Sequence, residues 1–124
     1  MDYRVPYADS DQMGVVYYAN YFVYFERLRN EVLRNIGYLY VDMEADGLGL
    51  PIVEAHCDYK LPARYDDLLT INGWFERGKG IRLHANCEVR RDGELLASGY
   101  TVHVCIDLAT GKPQAIPECL AARL

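Results

Sequence analysis

The sequence predicts an α+β fold in which one long helix is wrapped by a five-stranded antiparallel sheet. Two patterns carry that prediction: a single long stretch repeats with helical period, and four later segments alternate with a period of two. A third observation, the pair Asp92-Gly93 between two alternating segments, marks a tight hairpin. At 124 residues the chain is read as one domain, 1–124, long enough to bury one real core. Its 51% hydrophobic and 25% charged residues exclude disordered and fibrous classes.

From Asp2 to Tyr7, Tyr3, Val5 and Tyr7 alternate with Asp2, Arg4 and Pro6, a short strand that Pro6 confines to a sheet edge. Asp9 to Gly14 breaks the pattern as a polar loop. From Tyr18 to Ile36 the apolar positions Tyr21, Phe25, Leu28, Val32 and Ile36 recur at steps of three and four, with Gly37 as the stop. Glu26, Arg27, Arg29, Glu31 and Arg34 fall mainly on the other side of this helix. Next, Ile52 to Tyr59 sets Val53, Ala55, Cys57 and Tyr59 against Glu54, His56 and Asp58. Leu68 to Glu76 is closed by Arg77-Gly78-Lys79-Gly80, and Ile81 to Val89 alternates cleanly. The last strand, Leu95 to Ile106, presents Leu96, Tyr100, Val102, Val104 and Ile106 to one side. Strand, long helix and four antiparallel strands make the outline of a hotdog fold.

Several function classes drop out. No apolar run approaches the roughly 18 residues of a membrane span, and the N-terminus reads as no secretory signal. A net charge of −5 argues against nucleic acid as a partner. Cys57, Cys87, Cys105 and Cys119 are widely spaced, so reduced structural thiols in a cytoplasmic protein are expected, with no metal and no cofactor. With serine only at Ser10 and Ser98, no GxSxG elbow exists. Counted from a two-residue turn, His84 opposes Thr101 and His103 opposes Arg82, and all three histidines fall on the less apolar strand faces. His56 and Cys57 point oppositely in one strand and cannot form a dyad.

The chemistry concentrates in residues 7 to 21, YADSDQMGVVYYANY. Two carboxylates, Asp9 and Asp11, approach a helix start through Gly14. The first N–H groups of a helix lack internal partners and carry partial positive charge. A carboxylate beside such a terminus is a workable pair for acyl transfer. Asp9 and Asp11 also suit a plain turn, where aspartate is favoured.

The run Asp11-Gln12-Met13-Gly14-Val15-Val16-Tyr17, followed by Ala19-Asn20-Tyr21, resembles the motif of the 4-hydroxybenzoyl-CoA thioesterase family of hotdog proteins. Pro51 to Tyr59 and Pro62-Ala63-Arg64-Tyr65-Asp66-Asp67 are similar to the strand and loop after the helix in its bacterial acyl-CoA thioesterase branch. The resemblance implies that Asp11 is the catalytic carboxylate and that the Tyr18 backbone N–H polarises the thioester carbonyl. Many members carry histidine where this chain has Tyr18, so a proton-transfer role there does not carry over. Gly14, Val16 and Tyr17 would line the substrate site. The resemblance also implies a homodimer, or a dimer of dimers, in which the strand after the helix pairs with its copy and coenzyme A crosses the boundary. Lys60 and Arg64, just past that strand, are then placed to meet phosphates. The expected function is hydrolysis of an acyl-CoA thioester. Two others compete: a non-catalytic acyl-CoA or acyl-carrier-protein sensor, and a hydratase, which would need a histidine that residues 8 to 36 lack.

Overall fold

A computed structural model describes residues 1–122; Arg123 and Leu124, the end of the 1–124 span, lie outside the described residues. The elements in order are β1 (Asp2–Arg4), α1 (Asn20–Ile36), α2 (Tyr40–Ala45), β2 (Leu48–Gly49), β3 (Ile52–Tyr59), β4 (Leu68–Arg77), β5 (Arg82–Arg91), β6 (Glu94–Val104), β7 (Ile106–Asp107) and α3 (Glu118–Ala121). The main sheet is antiparallel with strand order β1-β4-β5-β6-β3. With α1 across one face it is the predicted hotdog arrangement.

α1 holds its place through one stripe. Tyr21, Tyr24, Phe25, Leu28 and Leu33 are buried against the sheet, each burial of this kind worth about 1.5–3 kcal/mol. Two sheet glycines let the helix sit close. A Cβ on Gly73 would meet Leu28 Cδ2 at 2.5 Å, and one on Gly99 would meet Phe25 Cε2 at 2.9 Å. A second cluster, Leu33, Met43, Leu83 and Leu120, closes the other end of the molecule.

Four expectations are corrected. The first strand stops at Arg4, because Pro6 offers no N–H and Tyr7–Asp9 coil into a short 3₁₀ turn. The helix begins at Asn20 rather than Tyr18. The last strand divides at Cys105, and Ile106–Asp107 pair instead with Leu48–Gly49.

The fourth correction concerns register. The Asp92-Gly93 turn, both residues at positive φ, sets Arg90 opposite Leu95 as counted. Leu96 is then an extra residue, so Val89 faces Ala97, His84 faces Val102 and Leu83 faces His103. One bulged residue moves every later side chain of β6 to the other face. Thr101 and His103 are therefore turned to the helix side, where they are buried and Arg29 meets Thr101. His84 and His103 lie on opposite faces and are not diagonal neighbours.

The two sheet edges differ in kind. β1 is three residues long, while β3 runs for eight, and only Cys57 on it is even partly buried. Ala55, Cys57 and Tyr59 face the helix side as predicted, Cys57 against the core and Tyr59 beside Tyr21, yet Ala55 and Tyr59 stay exposed; a bulge between Ile52 and Glu54 takes Val53 out of that row.

Candidate active site

The loop between Pro6 and α1 is fixed by one carboxylate. Asp9 Oδ2 accepts the Tyr3 hydroxyl at 2.9 Å and the Tyr24 hydroxyl at 2.7 Å. Burial, followed by the Asp9 carboxylate, pushes both phenols above their ordinary range, so both remain donors. The Asp9 carbonyl accepts the Tyr17 N–H at 2.9 Å and Asn20 Nδ2 at 3.0 Å. The entry to α1 is thus held by a backbone carbonyl eleven residues upstream, since Ala19 at the N-cap has no side chain to do it.

Asp11 is held differently. Its N–H donates to the Val15 carbonyl, and its carbonyl accepts the Gly14 N–H. Gly14 turns the loop at φ 76°. Asp11 Oδ1 accepts the Met13 N–H at 2.8 Å, while Oδ2 has no partner among the described residues. One carboxylate oxygen is spent on aim; the other is unpartnered, and Asp11 lines the groove beside it.

That groove runs between the loop and the end of β3. Asp11, Val16, Tyr17 and Tyr18 line it together with Tyr21, Tyr59 and Leu61. The Val16 N–H is taken by the Ala63 carbonyl and the Tyr17 N–H by Asp9. The N–H groups of Tyr18 and Ala19, next in line, meet no acceptor among the described residues. The Tyr18 carbonyl accepts the Tyr59 hydroxyl at 2.9 Å, which fixes this first turn from β3. Burial, with Cys57 adding to it, pushes the Tyr59 phenol up to about 12. A chain of tyrosine rings runs from the core into the groove: Tyr24, Tyr21, Tyr59, Tyr18 and Tyr17 follow one another at centroid spacings of 5.7, 5.2, 6.5 and 4.8 Å, the last four lining it.

Asp11, Val16, Tyr17 and Tyr18 therefore converge. Gly14 lies on the other side of Asp11, in a shallow depression with Tyr7 and Tyr65. Lys60 and Arg64 line neither surface. Both are exposed and in no ion pair among the described residues, and the Arg64 backbone bridges to Val15. Arg91 is committed elsewhere: with the Arg64 N–H it holds the Asp67 carboxyl below its usual range, although burial works the other way. Tyr59 escaped notice in the sequence; its place at the end of the helix-facing row of β3 was the available signal.

The Thioesterase-like superfamily profile matches residues 5–124. The chain is similar to acyl-CoA thioester hydrolase YbgC of Escherichia coli O6:H1, at 32% identity over 120 residues, 96% of this chain and 90% of that one. Among solved structures, hypothetical protein TT1821 from Thermus thermophilus superposes with a TM-score of 0.91 at 32% identity, covering 100% of this chain and 98% of that one. Slr0204, a 1,4-dihydroxy-2-naphthoyl-CoA thioesterase from Synechocystis, gives a TM-score of 0.92 at 26% identity, covering 99% and 92%. A match over nearly the whole chain, joined to the hotdog architecture, places this protein in the thioesterase-like superfamily.

Proposed function

We propose that this chain hydrolyses acyl-CoA thioesters in the groove beside Asp11, with 1–124 acting as one catalytic domain. The observation that carries the reading is the meeting, on one apolar wall, of a carboxylate with a spare oxygen and peptide N–H groups without acceptors. Asp11 takes a proton from water, whose oxygen attacks the thioester carbon; alternatively, the carboxylate itself attacks to give an anhydride that water then opens. In either route the carbonyl oxygen gains charge, and the Tyr18 N–H at the start of α1 is the donor proposed to receive it. Collapse breaks the C–S bond, and the thiolate of coenzyme A leaves as the thiol by taking the proton held on Asp11 or, in the anhydride route, one from water. The acyl-CoA esters named for relatives such as YbgC support the substrate class. The narrower likeness to 4-hydroxybenzoyl-CoA thioesterases rests on the motif from Asp11 to Tyr17.

The working unit is proposed to be a homodimer, or a dimer of dimers, joined through β3. An eight-residue exposed edge without an internal proline or lysine leaves a row of N–H and C=O groups for a second copy. The described part of the tail does not cover this edge: Ile106–Asp107 pair with β2, and Leu120 packs under Leu33 and Met43. Lys60 and Arg64 then serve the phosphates of coenzyme A. Free cysteines throughout suit a cytoplasmic setting, and no helix among the described residues is long and apolar enough to cross a membrane.

Thiol release across a panel of acyl-CoA esters tests the reading, with sedimentation of the same sample. Turnover by a dimer is expected. Tight binding of the esters without thiol release would instead support the non-catalytic sensor, and an active monomer would reject the β3 interface.

A further inference from the structure

Halfway along α1 an arginine is buried without an anion. Arg29 is 8% exposed, against the expectation that it lies on the polar side of the helix. Standing four residues after Phe25, it flanks the apolar stripe, and its head reaches the sheet. It joins no salt bridge among the described residues. Its hydrogen bonds are long: Nη1 to Thr101 Oγ1 at 3.3 Å and Nε to Tyr40 Oη at 3.4 Å.

The partners of Arg29 have a direction. His103 Nδ1 lies 2.9 Å from the Leu50 carbonyl, which can only accept, so Nδ1 carries the hydrogen. Burial, with Arg29 adding to it, disfavours a second proton on His103, so Nε2 is a lone pair. The Thr101 hydroxyl, 2.8 Å away, must donate to it, and the Thr101 oxygen is then free to accept from Arg29. Arg29 Nη2 has no protein partner among the described residues; the one buried unpartnered side-chain atom among them is Asn86 Nδ2, so Nη2 opens to solvent. A guanidinium held in place by its stem and two long bonds, with a donor still open, presents that donor to whatever enters beside it.

This cluster floors a depression that opens between Leu50 and Ile52, with Glu26, Tyr40 and Glu44 also lining it. It offers donors from Arg29 and Tyr40 and acceptors from Glu26 and Glu44. A hydroxyl group uses both kinds. A carboxylate would satisfy Arg29 but meet two like charges, and a hydrocarbon would leave the donors stranded. The depression borders Ile52, the first residue of β3, whereas the Asp11 groove borders Tyr59, the last. Two-fold antiparallel pairing of β3 about its midpoint sets Ile52 of one copy against Tyr59 of the partner subunit.

We propose that Arg29, backed by Thr101 and His103, is a specificity-determining residue that acts in the partner's site and selects acyl groups bearing a hydroxyl. The assignment rests on the thioesterase and dimer reading above.

The test uses CoA thioesters in pairs that share a carbon skeleton and differ by one hydroxyl, in a straight-chain and an aromatic series. The common coenzyme A cancels in the ratio of kcat/KM. Wild type should favour the hydroxylated ester by about tenfold or more in one series, as a site built to bond a hydroxyl rejects its lack. Arg29→Met should bring that ratio toward unity, mainly through KM, and Arg29→Lys should restore part of it. If Arg29→Met does not fold, Tyr40→Phe on the surface helix α2 should still lower the ratio about threefold. Co-expressed Asp11→Asn and Arg29→Met chains provide the sharpest arm: an isolated heterodimer should regain the wild-type ratio, because one site then holds both native residues. A ratio near unity in wild type, equal losses on both esters in Arg29→Met, an unmoved ratio in Tyr40→Phe, or a heterodimer without preference would each overturn the assignment. No thiol release from any ester by wild type would overturn the thioesterase reading itself, and this one with it.

Discussion

Asp9 and Asp11 stand two residues apart in one loop and occupy opposite environments. Asp9 is consumed: its carboxylate receives two phenols, and its carbonyl receives the first turn of α1. Asp11 is aimed: Oδ1 is pinned by the Met13 N–H, Oδ2 has no partner among the described residues, and the residue lines an apolar groove. Two phenols hold one oxygen of Asp9, and Asp9 does not line the groove, so it is placed to fix the loop rather than to meet a substrate. The comparison teaches that two adjacent carboxylates are separated by position: the one proposed for chemistry lines the groove, and its neighbour is tied to the core by Tyr3 and Tyr24.

The expected effects descend from the residues that fix the loop outward. Asp9→Asn should lower stability by about 1.5–3 kcal/mol, the worth of hydrogen bonds to a charged group, seen as a shifted urea midpoint with an unchanged slope. Its kcat should fall far less than that of an Asp11 variant. An Asp9→Asn protein as stable as wild type would show that the latch carries no load. Arg64→Ala, outside the groove, should raise KM several-fold while barely changing kcat; a pure kcat effect would move Arg64 away from phosphate binding. Tyr59→Phe removes the donor on the Tyr18 carbonyl and should cost a few-fold in kcat, because the first turn of α1 loses its tether to β3. An unchanged kcat would dismiss the tether.

The smallest effect concerns pH. His103 is disfavoured as a cation in the fold, first by burial and then by Arg29. Below the ordinary histidine range the unfolded chain therefore binds the extra proton, and stability falls as pH drops from 7 toward 5. His103→Gln should be less stable at pH 7 but flatter across that window. Equal slopes for the two proteins would mean that His103 charges freely in place. EDTA should leave turnover unchanged, and activity lost to EDTA and recovered with added metal would contradict the site as described.

Much of this was legible in the residues. The helical stripe from Tyr21 to Val32 and the alternation of Ile52–Tyr59 identify the layers, and the motif around Asp11 and Tyr18 points to the groove proposed as the site. The rest depended on contacts that periodicity does not encode. Leu96 bulges out of register, which turns His103 inward while His84 keeps its predicted face. Arg29 looks solvated on a helical wheel, yet its long stem carries the charge under the sheet. The role of Asp9 depends on Tyr3 and Tyr24, which the sequence places six and fifteen residues away and only the fold brings to one oxygen.

The central claim is that Asp11 does the chemistry while Asp9 holds the loop, and the direct test is kcat for thiol release by Asp11→Asn and Asp9→Asn at saturating acyl-CoA, each with its melting temperature. Asp11→Asn should lose on the order of 10²–10⁴ in kcat, as removal of a general base does, with substrate affinity and melting temperature close to wild type. Asp9→Asn should show the reverse pattern, a lower melting temperature with most of its turnover kept. Wild-type turnover by Asp11→Asn, or a larger loss of kcat in Asp9→Asn, would contradict the account.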